Sequence, residues 1–144
     1  WYLCPNGPGF ARETLGDLAR GNALPSGTML TGSFGASLIA PVAASALLAV
    51  YATSSMDTLI ETARLLPADE GANVAILTPY DRAVTERRFD LPVLTSLIPV
   101  VGASQLALDC LTGTGRMPAE GEALLDWMLQ NPLKWQRRSL AELG

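Results

Sequence analysis

A continuous apolar run at 46–52 (ALLAVYA) and a second short, mainly apolar strand-like segment at 73–78 (NVAILT) bracket an amphipathic stretch, and this arrangement constrains the fold more than any other feature of the 144-residue chain. A continuous apolar run of strand length fits a strand covered on both faces. Between the runs, Ser54 and Ser55 offer caps for a helix spanning about 56–66, with Leu59, Ile60, Ala63 and Leu66 on one face, Asp57 and Glu61 near its positive end, and Pro67 as the stop. Strand, helix and strand over about thirty residues is the βαβ unit, so the two strands are expected to be parallel and their crossover right-handed.

The remaining segments alternate in the same manner. Residues 1–9 (WYLCPNGPG) read as an extended lead-in, and Phe10, Ala11, Leu15, Leu18 and Ala19 recur at helical spacing up to a stop at Gly21 and Asn22. Thr31 or Ser33 can cap a short helix through about Ile39, ended by Pro41. Residues 91–95 (LPVLT) and 97–101 (LIPVV) are strand-like, but Pro92 and Pro99 confine them to an edge, a bulge or short lengths. Ser104 caps a helix through about Leu111, a Gly-rich turn at 113–115 follows, and Pro118 opens a last long helix to about Gln130, with a further short helix in the tail. The predicted fold class is therefore α/β, a small mixed sheet of three to five strands with flanking helices, in one domain.

Composition removes several classes. With 49% hydrophobic residues and a net charge of only -4, the chain is not disordered. It contains no His, which excludes Ser-His-Asp and Cys-His catalysis and the common zinc hydrolase sites. An acidic pI near 4.7 argues against strong non-specific binding of nucleic acid by this chain alone. Cys4 and Cys110 stand far apart with no CxxC pattern, which reads as two small buried thiols, with a disulfide or a redox role as alternatives. The stretch 36–52 is apolar but Ala-rich, interrupted by Ser37, Pro41 and Ser45, and too short for a membrane span; no membrane association is expected. The chain starts at Trp1 rather than Met, which reads as part of a longer protein.

No active-site pattern completes itself. Thr31, Gly32 and Ser33 resemble the glycine-serine turn of nucleotidyltransferases, yet no Asp or Glu occurs between Asp17 and Asp57 to hold the Mg²⁺ that this chemistry requires. A metal-dependent nuclease needs an acidic residue two places before a Lys, and the one Lys, Lys134, has none. Asp81, Glu86 and Asp90 are interleaved with Arg82, Arg87 and Arg88, as in a solvated, salt-bridged loop. Asp109 lies inside an apolar helical pattern (ALDCL), where a charge must be paired or hydrogen-bonded; Arg116 or the 113–115 turn is the expected partner. Lys134, Trp135, Arg137 and Arg138 combine charge with an aromatic ring, the material of a phosphate-contacting patch, although a solvated helix with Trp135 tucked beneath accounts for them as well. No metal or cofactor is expected.

Four pieces, in order, resemble a known family: TGSFGASLIAP at 31–41, ALLAVYA at 46–52, LLPADEGANVAILTPYD at 65–81, and VVGASQLALDCLTGTGRMPAEGEALLDWM at 100–128. Their succession over about 28–130 resembles the C-terminal domain of the AbiEi-family antitoxins and transcriptional regulators of bacterial abortive-infection operons. Gly32, Asn73, Pro79, Asp81, Gln105, Asp109 and Arg116 match the pattern, none with an implied ligand role. The resemblance implies a winged helix-turn-helix upstream of Trp1 that binds promoter DNA, and a cytoplasmic, non-catalytic domain that counteracts a nucleotidyltransferase toxin; the expected mode of action is contact with the toxin, dimerisation or the sensing of a small ligand. Asp81, Gln105, Asp109 and Arg116 are the candidate polar positions, and Arg82, Arg87, Arg88, Lys134, Trp135, Arg137 and Arg138 the candidate partner or nucleic-acid contacts. The alternative is an enzyme of the nucleotidyltransferase or nuclease kind with an atypical constellation.

Overall fold

The run at 46–52 forms a strand over Leu48–Tyr51 and the run at 73–78 one over Val74–Leu77, and the two pair in parallel as the βαβ reading requires. The computed structural model describes residues 1–42, 44–86 and 98–136. In chain order the elements are β1 (Tyr2–Leu3), α1 (Pro8–Arg20), β2 (Met29–Thr31), α2 (Gly32–Ser37), β3 (Leu48–Tyr51), α3 (Asp57–Thr62), β4 (Leu66–Pro67), β5 (Val74–Leu77), α4 (Ala83–Glu86), α5 (Ala103–Leu111), α6 (Met117–Gln130) and α7 (Pro132–Trp135). The strands form one mixed sheet ordered β2-β3-β5-β1-β4, parallel only between β3 and β5 and flanked by the helices.

Side-chain alternation along β3 explains why its sequence has no polar face. Leu48 and Val50 point one way and Ala49 and Tyr51 the other, and all four are buried. Helix α1 packs on β3 and α3, while α2 packs on β2, β3, α5 and α6. The core is continuous through both layers, from Leu15 and Leu59 to Leu106 and Leu124.

Helix ends follow local chemistry. In α1, Pro8 occupies the first turn, and Asn22 adopts φ 55 after the helix. The Ala23 N–H bonds the Leu18 carbonyl at 2.7 Å and Asn22 N–H bonds Ala19 at 3.1 Å, the Schellman arrangement. The same motif shortens α3. The helix expected to reach Leu66 stops at Thr62, because Arg64 turns left-handed (φ 54) and Leu65 N–H closes on the Ile60 carbonyl at 2.9 Å. Leu66 and Pro67 are thereby freed to pair with β1 as an edge strand.

Other departures are equally specific. The lead-in contributes β1, whose sheet position Asn73 secures: its side chain accepts from Cys4 N–H at 2.7 Å and donates to the Cys4 carbonyl at 3.0 Å. Met29–Thr31, three residues too short to show a period, forms strand β2 immediately before α2. α2 ends at Ser37, two residues before the expected Ile39. Residues 98–101 lie beside β2, with Leu30 N–H bonding the Pro99 carbonyl at 2.8 Å, so Pro99 sits at an edge as its missing N–H demands. α5 begins at Ala103 after Gly102, and Ser104 does not cap it. The strand expected at 91–95 lies outside the described residues. The apolar stretch 36–52 includes the end of α2 and all of β3, and the described residues between them, 38–42 and 44–47, are not helical; among the described residues no helix is long and apolar enough to cross a membrane.

Candidate functional site

Gln105 and Asp109 are four residues apart on α5 and therefore project from one side of the helix, toward the ends of β2 and β3. Asp109 accepts three hydrogen bonds. Thr31 Oγ1 donates to Oδ2 at 2.5 Å, Tyr51 Oη to Oδ1 at 3.1 Å and Gln105 Nε2 to Oδ1 at 2.8 Å. Gln105 Oε1 in turn accepts from Tyr80 Oη at 2.9 Å, extending the network from buried Thr31 to a tyrosine that is 73% exposed. The partners of Asp109 are thus not Arg116 or the 113–115 turn. Antiparallel pairing sets Thr31 opposite Ala49, two residues before Tyr51, so both hydroxyls rise on the sheet face that α5 covers.

The electrostatics make this cluster a clamp. Burial foremost, and then the neighbouring Asp109 carboxylate, raise the Tyr51 phenol well above its ordinary value, so Tyr51 remains a donor and does not serve as a base. Among the described residues no cation forms a salt bridge with Asp109. Among the described residues its partners are hydroxyl and amide donors, and the two hydroxyls tie α5 to β2 and β3.

Asp109 is half-buried, and a fully buried carboxylate lies on the next helix. Glu120, 4% exposed on α6, accepts from Ser33 Oγ of α2 at 2.6 Å. Gly32 makes this junction possible: its φ is 60, and a Cβ there would stand 3.1 Å from Met117 Cε and 3.4 Å from Ala49 Cβ. Buried Cys110, next to Asp109 in the chain, has its thiol pushed up to about 12 by burial and then by the charges of Glu120 and Asp109. Cys4 and Cys110 are both free and buried, which removes the disulfide, and so strongly raised a thiol has no thiolate for redox chemistry near neutral pH.

The other predicted positions are scattered. Asp81 is exposed and its Oδ1 accepts from Ala83 N–H at 2.8 Å, starting α4 as a helix cap. Arg82 follows it, also exposed, and Arg116 is exposed at the start of α6. Lys134 Nζ lies 6.0 Å from the centroid of the Trp127 ring, a cation–π distance, and Trp135 is half-buried with its Nε1 donating to the Met128 carbonyl at 2.8 Å. Arg87, Arg88, Arg137 and Arg138 lie outside the described residues. The structure joins Gln105 to Asp109 and leaves Asp81 hydrogen-bonded to its own loop. Among the described residues no three His, Cys, Asp or Glu groups gather where they could hold a metal ion.

Tyr51, Tyr80 and Glu120 are not singled out by the sequence, and Ser33 stands there only as a cap or turn residue. Tyr51 carries the only polar side-chain atom in its apolar run, which was the available signal; Ser33 and Glu120 meet across 87 residues and left none. A different feature stands out on the surface. Leu108 and Leu111 of α5, Leu125 and Leu129 of α6 and Leu133 of α7 are all exposed, Leu129 by 80% and Leu133 by 76%. Comparison of the chain with protein-family models, curated proteins and solved structures gives no match. The resemblance to the AbiEi family accordingly rests on the four sequence pieces alone.

Proposed function

We propose that this chain is a non-catalytic regulatory domain of a bacterial transcriptional regulator or antitoxin, acting in the cytoplasm by protein contact. In that role it counteracts a nucleotidyltransferase toxin, while a winged helix upstream in the parent protein holds the promoter of the operon that the protein represses. The observation that carries the reading is the set of exposed leucines on α5, α6 and α7: apolar area of this kind, concentrated on consecutive helices, marks a partner site on a folded domain. The sequence resemblance supplies the identity of the partner. The carboxylate network supports a structural role for the polar residues, since each oxygen of Asp109 already has a donor.

Co-expression of the chain with the nucleotidyltransferase toxin of its own operon tests the proposal. Growth is expected to recover, the full-length parent protein is expected to retard its own promoter fragment, and the purified chain is expected to leave labelled nucleotides and tRNA unchanged in Mg²⁺. Turnover lost on Asp81→Ala or Asp109→Ala would instead establish an enzyme. A chain that rescues no growth, from a parent that retards no promoter, refutes the regulatory reading.

A further inference from the structure

The seam between α5 and α6 specifies the chemistry of a partner, an inference that rests on the chain being a partner-binding domain. The two helices are joined by the short connection 112–116 and form an antiparallel hairpin. They approach closely at Gly121, where a Cβ would lie 2.7 Å from Leu111 Cγ and 2.9 Å from the Leu111 backbone nitrogen. Gly121, Leu125 and Leu129 form one i, i+4, i+8 row on α6, and the row drifts about 40° per step, since four residues exceed one turn. Gly121 is therefore buried against α5, Leu125 is 40% exposed and Leu129 80%. Leu108 and Leu111, three residues apart, face the same seam from α5 and are 49% and 37% exposed. Along the outer edge of the leucine row stand Glu122 and Asp126, both exposed and i, i+4 to each other.

We infer that this seam is a docking surface for an amphipathic helix of a different protein, one whose apolar face is flanked by Lys and Arg. Leucines spaced three and four apart on two adjacent helices present a shallow apolar track of the kind that receives a helix, and the acidic rim selects the sign of the charges beside the incoming apolar face. A second copy fits poorly, because two-fold pairing of the same face would gather Glu122 and Asp126 of both copies, four carboxylates, around one seam. An anionic lipid surface meets the same repulsion.

Two synthetic helical peptides test this, identical in their leucine face but flanked in one case by Lys and Arg and in the other by Glu, titrated against the whole chain by calorimetry. The basic peptide is expected to bind at least tenfold more tightly. Leu129→Ser is expected to weaken it at least tenfold at an unchanged unfolding midpoint, and the pair Glu122→Lys and Asp126→Lys is expected to reverse the preference. Equal binding of the two peptides, or binding indifferent to Leu129→Ser or to the charge reversal, overturns the proposal. So does dimerisation of the free chain in sedimentation that Leu129→Ser abolishes, which assigns the seam to a second copy. Toxin neutralisation that survives Leu129→Ser defeats this surface and leaves the regulatory reading intact; selection of the basic peptide by a chain that neutralises no toxin does the reverse.

Discussion

Replacing Asp109 with Ala removes the acceptor that joins α5 to two strands, and the cost follows from what each donor loses. Thr31 is 1% exposed, so its hydroxyl has no water to turn to. A hydrogen bond to a charged group contributes about 1.5–3 kcal/mol and an abandoned buried donor costs a comparable amount, which places the Thr31 loss at about 2 kcal/mol. Tyr51 and Gln105 retain each other at 3.5 Å, and their losses together come to about 1 kcal/mol. Alanine's better helix propensity returns about 0.5 kcal/mol, leaving a net destabilisation of about 2.5 kcal/mol. Urea unfolding followed by the fluorescence of Trp127 and Trp135 measures it, and the midpoint is expected to fall by on the order of 1 M with an unchanged slope. A double-mutant cycle with Thr31→Val isolates the shared bond, with an expected coupling of about 1.5 kcal/mol. A loss below about 0.5 kcal/mol, the range of ordinary surface substitutions, or strictly additive single effects, refutes the clamp.

Three further outcomes follow from the same geometry. Because the folded state holds the Tyr51 proton more tightly than the unfolded chain does, its contribution to stability is complete below the ordinary tyrosine value of about 10 and is lost as the pH climbs through the raised folded value. Unfolding midpoints measured from pH 9 to 11 are expected to decline above pH 10, and Tyr51→Phe is expected to flatten that decline; an identical decline in the variant would remove Tyr51 as its source. Cys110, protected by burial and by a thiol pushed up to about 12, is expected to react with a thiol reagent at pH 8 only as fast as the chain unfolds, which Cys4→Ser isolates. Gly121→Ala, which in an open helix would stabilise by about 1 kcal/mol, is expected to destabilise by about 1–3 kcal/mol because its methyl meets the Leu111 backbone, as thermal unfolding would record.

The parallel pair β3 and β5, the helix between them and the long α6 were legible in the sequence, because each is announced by a local pattern of apolar spacing and punctuating Pro, Ser or Gly. The stop at Asn22 was legible for the same reason. What escaped were elements without internal period: β1, β2 and β4 are two or three residues long, and they are strands only because a partner supplies the other half of their hydrogen bonds. The early end of α3 turned on one left-handed residue, Arg64, that no propensity marks.

The site divides along the same line. The i, i+4 spacing of Gln105 and Asp109, and the need of Asp109 for hydrogen bonds in apolar surroundings, were properties of the chain itself. Which groups meet that need was decided by tertiary structure, which brings Thr31 and Tyr51 to Asp109 across 78 and 58 residues and leaves Arg116 in solvent. The physical reason is that burial and helical or strand period are written locally, residue by residue, whereas the partner of a polar group depends on where separate elements come to rest against one another.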